Sequence, residues 1–320
     1  MNVLSLFDGM SCGQLALQKA GVKVDKYFAS EIKPLGIKVT QENFPNTIQL
    51  GSVTELEGKD LPKIDLLIGG SPCQNLSIAM AEEHRKGLEG DKSSLFYEYY
   101  RIFKETKPTY FFLENVGSMP KKDEDIITEL MGVEPIRINS KLISPQLRNR
   151  LYWTNIPGIE IPKEKDIQLN NILTEGWSDR KKARCLLESD SRPVITPIKR
   201  FHRYLMGFIT LVFKDEEHYY ACKEFHEKHF HKLTAKQIDE KLATEDIDIS
   251  VYDGIRVLNQ QELEICQTVP EGYTKSLTRN EAAGLLGDGW TVDVIAHMFS
   301  FIPTEQELQK EEELDDFWLT

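Results

Sequence analysis

The feature that most constrains the fold is an alternation in the first half of the chain, where short apolar runs are separated by stretches of helical periodicity. Strand-like runs at residues 2–7, 26–30, 66–69 and 109–113 interleave with helix-like patterns at 14–20, 34–43 and 93–107. The runs are continuously hydrophobic, as strands covered on both faces must be, and a strand–helix–strand order feeds a parallel sheet. The predicted fold class is therefore α/β, a doubly wound, mostly parallel sheet. Open sheets of this kind bind ligands outside the carboxyl ends of their strands, so the loops that follow the runs are where chemistry belongs.

Four such loops carry candidate residues. Phe7-Asp8-Gly9-Met10-Ser11-Cys12-Gly13 leaves the first run and enters a helix, and its glycines let the backbone approach a nucleotide-like ligand. It lacks the GxGxxG fingerprint, and a plain strand-to-helix turn would read similarly. Glu31 follows the second run about 20 residues further on, where an acidic residue in such folds accepts ribose hydroxyls. Together the two suggest a cofactor containing adenosine. The third run ends in Gly69-Gly70-Ser71-Pro72-Cys73-Gln74-Asn75-Leu76-Ser77, and a thiol in a loop punctuated by Gly and Pro can be exposed and activated. A buried, inert thiol is the ordinary alternative.

Glu114-Asn115-Val116 comes directly after the fourth run and would put a carboxylate at the same sheet edge as Cys73. A thiolate beside a carboxylate that holds or delivers a proton fits nucleophilic catalysis on a ring, whereas a capping or solvated Glu is the simpler use. Finally, in Gln146-Leu147-Arg148-Asn149-Arg150, followed by Leu151-Tyr152-Trp153, strand alternation would send Gln146, Arg148 and Arg150 to one face. A solvated strand face has the same pattern.

Beyond residue 158 the chain turns Lys-, Glu- and aromatic-rich, with an apolar run at 208–213 and a helical pattern at 235–242. Helical periodicity resumes at 280–286 and 292–301, on either side of Gly287-Asp288-Gly289-Trp290. The predicted organisation is one domain from residues 1–158 plus 279–302, a smaller inserted domain at 159–278, and an acidic tail at 303–320. The net charge of −12 argues against a nucleic-acid binder only until it is mapped. Residues 301–320 hold seven acids and one base, half of the total, while residues 179–203 hold eight bases against three acids. Such a basic cluster can neutralise phosphates or form a solvated face.

Several classes are excluded by what remains. No apolar stretch approaches the roughly 20 residues that span a bilayer. The first seven residues lack the basic region of a secretory signal, so the chain is expected to be intracellular. Cys12, Cys73, Cys185, Cys222 and Cys266 are odd in number and form no CxxC pair, which predicts reduced thiols. Cys222, His226, His229 and His231 match no zinc spacing; surface histidines and no metal are expected.

Taken in order, Phe7-Asp8-Gly9, Glu31, Ser71-Pro72-Cys73, Glu114-Asn115-Val116 and Gln146-Leu147-Arg148-Asn149-Arg150 resemble the cytosine-C5 DNA methyltransferase family. The resemblance spans residues 1–156 and 255–302. Its late part, Arg256-Val257-Leu258-Asn259-Gln260-Gln261-Glu262, Pro270-Glu271-Gly272-Tyr273-Thr274 and Leu285-Leu286-Gly287-Asp288-Gly289-Trp290, looks most like the animal de novo subgroup and its phage and bacterial relatives.

The resemblance implies a Rossmann-like class I methyltransferase domain, an inserted target-recognition domain, S-adenosylmethionine as cofactor and double-stranded DNA as partner. It implies that Cys73 attacks carbon 6 of a flipped cytosine, that Glu114 binds or protonates the N3 side, and that Arg148 and Arg150 orient Glu114 and the cytosine oxygen, with Gln146 supporting the loop. The cofactor would lie against Phe7, Asp8, Gly9, Cys12, Glu31, Ile32, Ser52, Val53, Leu95 and Trp290. At Ser52 the family usually has an acid that holds the adenine amino group, so a weaker acceptor stands here. The resemblance also implies the cytoplasm of a bacterial or phage-infected cell; it leaves oligomeric state open, a homo-oligomer included. The nearest rival is a tRNA cytosine-C5 methyltransferase, against which the long insert argues. A non-catalytic methyltransferase-like DNA binder would have shown degraded Cys73, Glu114 or Arg150, and a nicotinamide enzyme would have needed GxGxxG.

Overall fold

A computed structural model describes residues 1–72, 88, 95–192, 196–304 and 307. Along the chain run β1 (Asn2–Leu6), α1 (Cys12–Lys19), β2 (Lys26–Ser30), α2 (Pro34–Asn43), β3 (Ile48–Gln49), β4 (Leu66–Gly70) and α3 (Leu95–Thr106). Then come β5 (Tyr110–Val116), α4 (Lys121–Met131), β6 (Ile136–Asn139) and β7 (Asn149–Thr154). The helices α5 (Pro197–Leu205), α6 (Glu216–Phe230), α7 (Ala235–Thr244), α8 (Gln260–Cys266), α9 (Arg279–Asp288) and α10 (Val292–Phe299) follow.

The chain divides into two compact units, the first comprising Met1–Asn139, Asn149–Lys163 and Gly289–Thr320, the second Ser140–Arg148 and Glu164–Asp288. Among the described residues the first unit holds a seven-stranded sheet in the order β3-β2-β1-β4-β5-β7-β6. Strands β3 to β5 pair in parallel, and β7 is antiparallel to both β5 and β6. This is the predicted mostly parallel α/β sheet. The apolar runs are central because helices cover both faces: Val3, Leu4, Leu6, Leu66, Leu67 and Ile68 are fully buried. Strand order reverses between β1 and β4, which opens a crevice at their carboxyl ends.

Strand β5 is longer than its apolar run predicts. Glu114, Asn115 and Val116 lie inside it, paired with Tyr152, Leu151 and Arg150 of β7, so the expected position of Glu114 just after the strand is corrected. The antiparallel partner supplies the ladder that carries the strand past its hydrophobic stretch. Helix α10 packs on α1, and Phe299 meets Phe112 edge-on at 4.9 Å between ring centres.

The second unit is held by an aromatic cluster that includes Phe201, Tyr204, Phe213, Tyr219, Phe230 and Tyr252. Short bridges join Trp177 to Phe213 and Val212 to Arg256. Helix α9 packs here: a Cβ on Gly287 would strike the Leu187 backbone, so residues 279–288 fall in the second unit rather than in the half expected from sequence. The expectation of surface histidines also fails in part. Cys222 and His226 are buried, and His226 Nδ1 lies 3.0 Å from the Tyr252 hydroxyl. Burial lowers its pKa to about 4.

Candidate active site

The site begins with a missing side chain. Gly70 ends β4 in register with Glu114 of β5, and a Cβ at Gly70 would lie 2.8 Å from Glu114 Oε2 and 2.9 Å from Trp290 Nε1. Only glycine leaves room for the contact that passes over it. Trp290 Nε1 donates to Glu114 Oε2 at 3.0 Å, and Arg150 Nε pairs with Glu114 Oε1 at 2.6 Å. Both carboxylate oxygens are thus engaged, from a helix-flanking residue and from the neighbouring strand, and the side chain is fixed in direction. Arg150 reaches it because it stands opposite Val116 on β7. Trp290 is anchored in turn by an edge-on contact with Phe112.

Asn115 fixes the adjoining loop. Its Nδ2 donates to the Ser71 hydroxyl at 3.1 Å and to the Ser71 carbonyl at 3.4 Å, while its Oδ1 accepts from Val116 N. Ser71 is two residues before Cys73, which lies outside the described residues, as do residues 74–77.

A second group gathers at the carboxyl ends of β1 and β2. Phe7, Gly9 and Ser11 all have positive φ, so the chain between β1 and α1 coils tightly. Asp8 locks that coil by accepting from the hydroxyls of Ser11 and, at 2.8 Å, Tyr27; burial raises its pKa against these hydrogen bonds. Glu31 clamps the two strand ends together: Oε2 accepts from Gly9 N at 2.7 Å, and Oε1 from Ile32 N and Lys33 N at 2.7 and 2.8 Å. A Cβ on Gly36 would strike the Gly9 carbonyl, so α2 also packs closely on this coil. Ile32, directly after the carboxylate, is 70% exposed. Cys12 is buried at the start of α1.

Ser52 accepts from Thr54 N at 3.3 Å and contacts the Thr54 hydroxyl at 2.8 Å, capping the short turn that contains buried Val53. Arg101 Nη2 holds the Val53 carbonyl at 3.0 Å. Leu95 opens α3 and packs on the core shared by Leu4, Leu67 and Leu113.

Gln146, Arg148 and Arg150 do not share one strand face. Strand β7 starts only at Asn149, and Gln146 and Arg148 belong to the second unit. There Gln146 Nε2 donates to the Cys266 carbonyl at 2.6 Å and Gln267 Oε1 at 2.7 Å. Arg148 binds the carbonyls of Leu186 and Gly287 at 3.0 and 3.1 Å and meets Cys185 Sγ at 3.3 Å. Both are buried and act as internal ties.

Sequence reasoning missed Tyr27, the Asn115–Ser71 link and the contact of Trp290 with Glu114. The last joins residues 176 positions apart, and no local pattern could have signalled it.

Comparison with known proteins gives a consistent result. The chain is 31% identical over 268 residues to the orphan methyltransferase M.SPRI of Bacillus phage SPR, covering 77% of this chain and 58% of that protein. It is 32% identical over 198 residues to the type II methyltransferase M.NgoBV of Neisseria gonorrhoeae, covering 54% and 46%. The chain thus spans about half the length of the curated relatives it matches. In fold it resembles Spodoptera frugiperda DNMT2, with TM-score 0.65, 15% identity and coverage of 94% of this chain and 99% of that one. The S. pombe Dnmt2 methyltransferase gives TM-score 0.65 and 15% identity, with coverage of 94% and 98%. Residues 1–303, nearly the whole length, match the model of the C-5 cytosine-specific DNA methylases, and the chain belongs to that family.

Proposed function

We propose that this protein methylates carbon 5 of cytosine in double-stranded DNA, with Cys73 as the nucleophile and S-adenosylmethionine as the methyl donor. The observation that carries the reading is Glu114, held at both oxygens by Arg150 and Trp290 beside the strand end that leads to Cys73.

The ring of a stacked cytosine is inaccessible, so the base must be turned out of the duplex. Addition of the Cys73 thiolate to carbon 6 pushes electron density toward carbon 5 and N3. Glu114 offers a fixed group at the N3 side, where it can hydrogen-bond or deliver a proton as that density arrives. Arg150 and Trp290 keep the carboxylate from swinging away, which is where positioning contributes to rate. Carbon 5, made electron-rich by that addition, would take the methyl group of the donor; loss of its proton to a base would then let the sulfur leave, with any proton lent to N3 returning to Glu114.

The residues at the ends of β1 and β2 suit the cofactor. Glu31 is a fixed carboxylate for ribose hydroxyls, Ile32 offers an exposed apolar side chain for a flat base, and Asp8 and Gly9 shape a tight coil. Phe7, Cys12, Ser52, Val53, Leu95 and Trp290 complete the proposed set. S-adenosylmethionine supplies an electrophilic methyl group when bound. Arg148, tied to Leu186 and Gly287, is assigned a supporting role.

The test is incubation with labelled S-adenosylmethionine and separate pools of duplex DNA and tRNA, followed by nucleoside analysis. Label in 5-methyldeoxycytidine that disappears in Cys73→Ala is expected. Label confined to tRNA would replace DNA as substrate, and label that survives Cys73→Ala would remove the proposed nucleophile.

A further inference from the structure

The second unit contains a cavity of 140 Å³ lined by Arg184, Arg192, Arg200, Arg203 and Arg279, with Asp190 as the acidic residue of that lining. Four of these arginines come from residues 184–203 and the fifth from α9, so their convergence is a product of folding. Leu186, Ile209, Leu258 and Leu263 are buried and form apolar parts of the wall. Low-dielectric walls strengthen the field that the guanidinium groups create inside.

Arg279 is opposed by the Asp190 and Glu262 carboxylates through space, but its hydrogen bonds bring it no carboxylate. They go to neutral oxygens: the Leu258 carbonyl at 2.9 Å, the Asp190 carbonyl at 3.1 Å and Asn280 Oδ1 at 3.2 Å. The Asp190 carboxylate accepts from Leu187 N at 2.9 Å. A chain of net charge −12 therefore keeps a pocket of opposite sign, in which five cations face one carboxylate. Arg200 and Arg279 repel one another, and an entering anion relieves that repulsion while gaining charge-assisted hydrogen bonds.

We propose that this cavity is a binding site for one phosphate group. The planar forks of arginine match the oxygen geometry of phosphate. Phe208, 57% exposed on the lining, offers a flat apolar surface to a sugar or base attached to that phosphate. The phosphate can belong to a DNA strand or to a free nucleotide. The inference does not depend on the methyl-transfer reading, because every residue in it lies in the second unit and none is a proposed catalytic residue.

Calorimetry on the full chain, with inorganic phosphate and a 20-base-pair duplex as separate probes at chloride-balanced ionic strength, tests it. Arg203→Gln and the exposed Arg192→Gln are compared with Lys228→Gln on the outer face of α6. Saturable phosphate binding is expected, weakened about tenfold by either arginine substitution and unchanged by Lys228→Gln. If the phosphate is that of DNA, the slope of log affinity for duplex against log salt falls by about one in the arginine variants. Lost phosphate binding with an unchanged duplex slope assigns the site to a free phosphate compound. Absence of phosphate binding in the wild type, together with an unchanged duplex slope in a variant that melts normally, overturns the proposal.

Discussion

The carboxylate site of the first unit and the arginine cavity of the second handle charge in opposite ways. Glu114 is matched, with one cation and one neutral donor on its two oxygens. The cavity lining carries an excess of one sign, with five arginines and Asp190. A matched charge has its direction fixed and its field largely cancelled at a distance, which suits a group that must meet one atom of a substrate. A cluster with an excess of one sign projects its field and suits attraction.

The sharpest way to break that contrast is to neutralise the matched carboxylate while keeping its shape. Glu114→Gln should lower the single-turnover methyl-transfer rate by roughly 100- to 10,000-fold with the melting curve little changed. A loss below tenfold would mean that Glu114 is a structural pair and no more.

Acid should separate the two units next. The folded His226 pKa, about 4, is lower than the ordinary value of 6.5, so the folded ring resists protonation. Above pH 6.5 the ring is neutral in both states and contributes no pH dependence. Between 6.5 and about 4 the unfolded chain takes up a proton that the folded chain refuses, so stability falls as pH falls, by up to about 3 kcal/mol. Denaturant melts from pH 7 to 4 should show this loss in the second unit, and His226→Phe should flatten it. An unchanged pH profile in His226→Phe would assign the acid sensitivity elsewhere.

Gly70→Ala tests the crowding at the matched site. The added methyl meets Glu114 Oε2 and Trp290 Nε1, so about 1–3 kcal/mol of overpacking is expected, with lost activity as the more sensitive readout. The smallest effect belongs to Lys19→Ala. Its pair with Asp293 at 2.8 Å is one-third exposed at both ends and should contribute less than about 1 kcal/mol to thermal stability. A larger loss would make the α1–α10 contact electrostatic rather than apolar.

The two regions were unequally legible. Strands β1, β2 and β4 and helix α2 could be read because their apolar runs are bounded by turn residues, and burial is what those runs encode. The end of β5 could not, since Glu114 and Asn115 look like a loop until β7 pairs with them. Glu31 was legible as a residue, while its grip on Gly9, Ile32 and Lys33 was not. Trp290 was read as a cofactor contact, yet its indole donates to Glu114, a relation set by the packing of α10 and its flank. In the second unit, polar spacing suggested surface histidines where aromatic packing buries His226. Local patterns report burial along one element; they carry no information on which distant element supplies the cover.

The most direct test of the central claim uses duplex DNA in which cytosines are replaced by 5-fluorocytosine, incubated with the protein and S-adenosylmethionine and resolved under denaturing conditions. Once methylated, carbon 5 carries fluorine and methyl and has no proton to lose, so the sulfur added at carbon 6 cannot leave by elimination. A denaturation-resistant protein–DNA adduct in the wild type, absent from Cys73→Ala and reduced in Glu114→Gln, is the predicted result. An adduct that persists in Cys73→Ala, or a wild type that methylates ordinary duplex DNA yet forms none, would contradict the account.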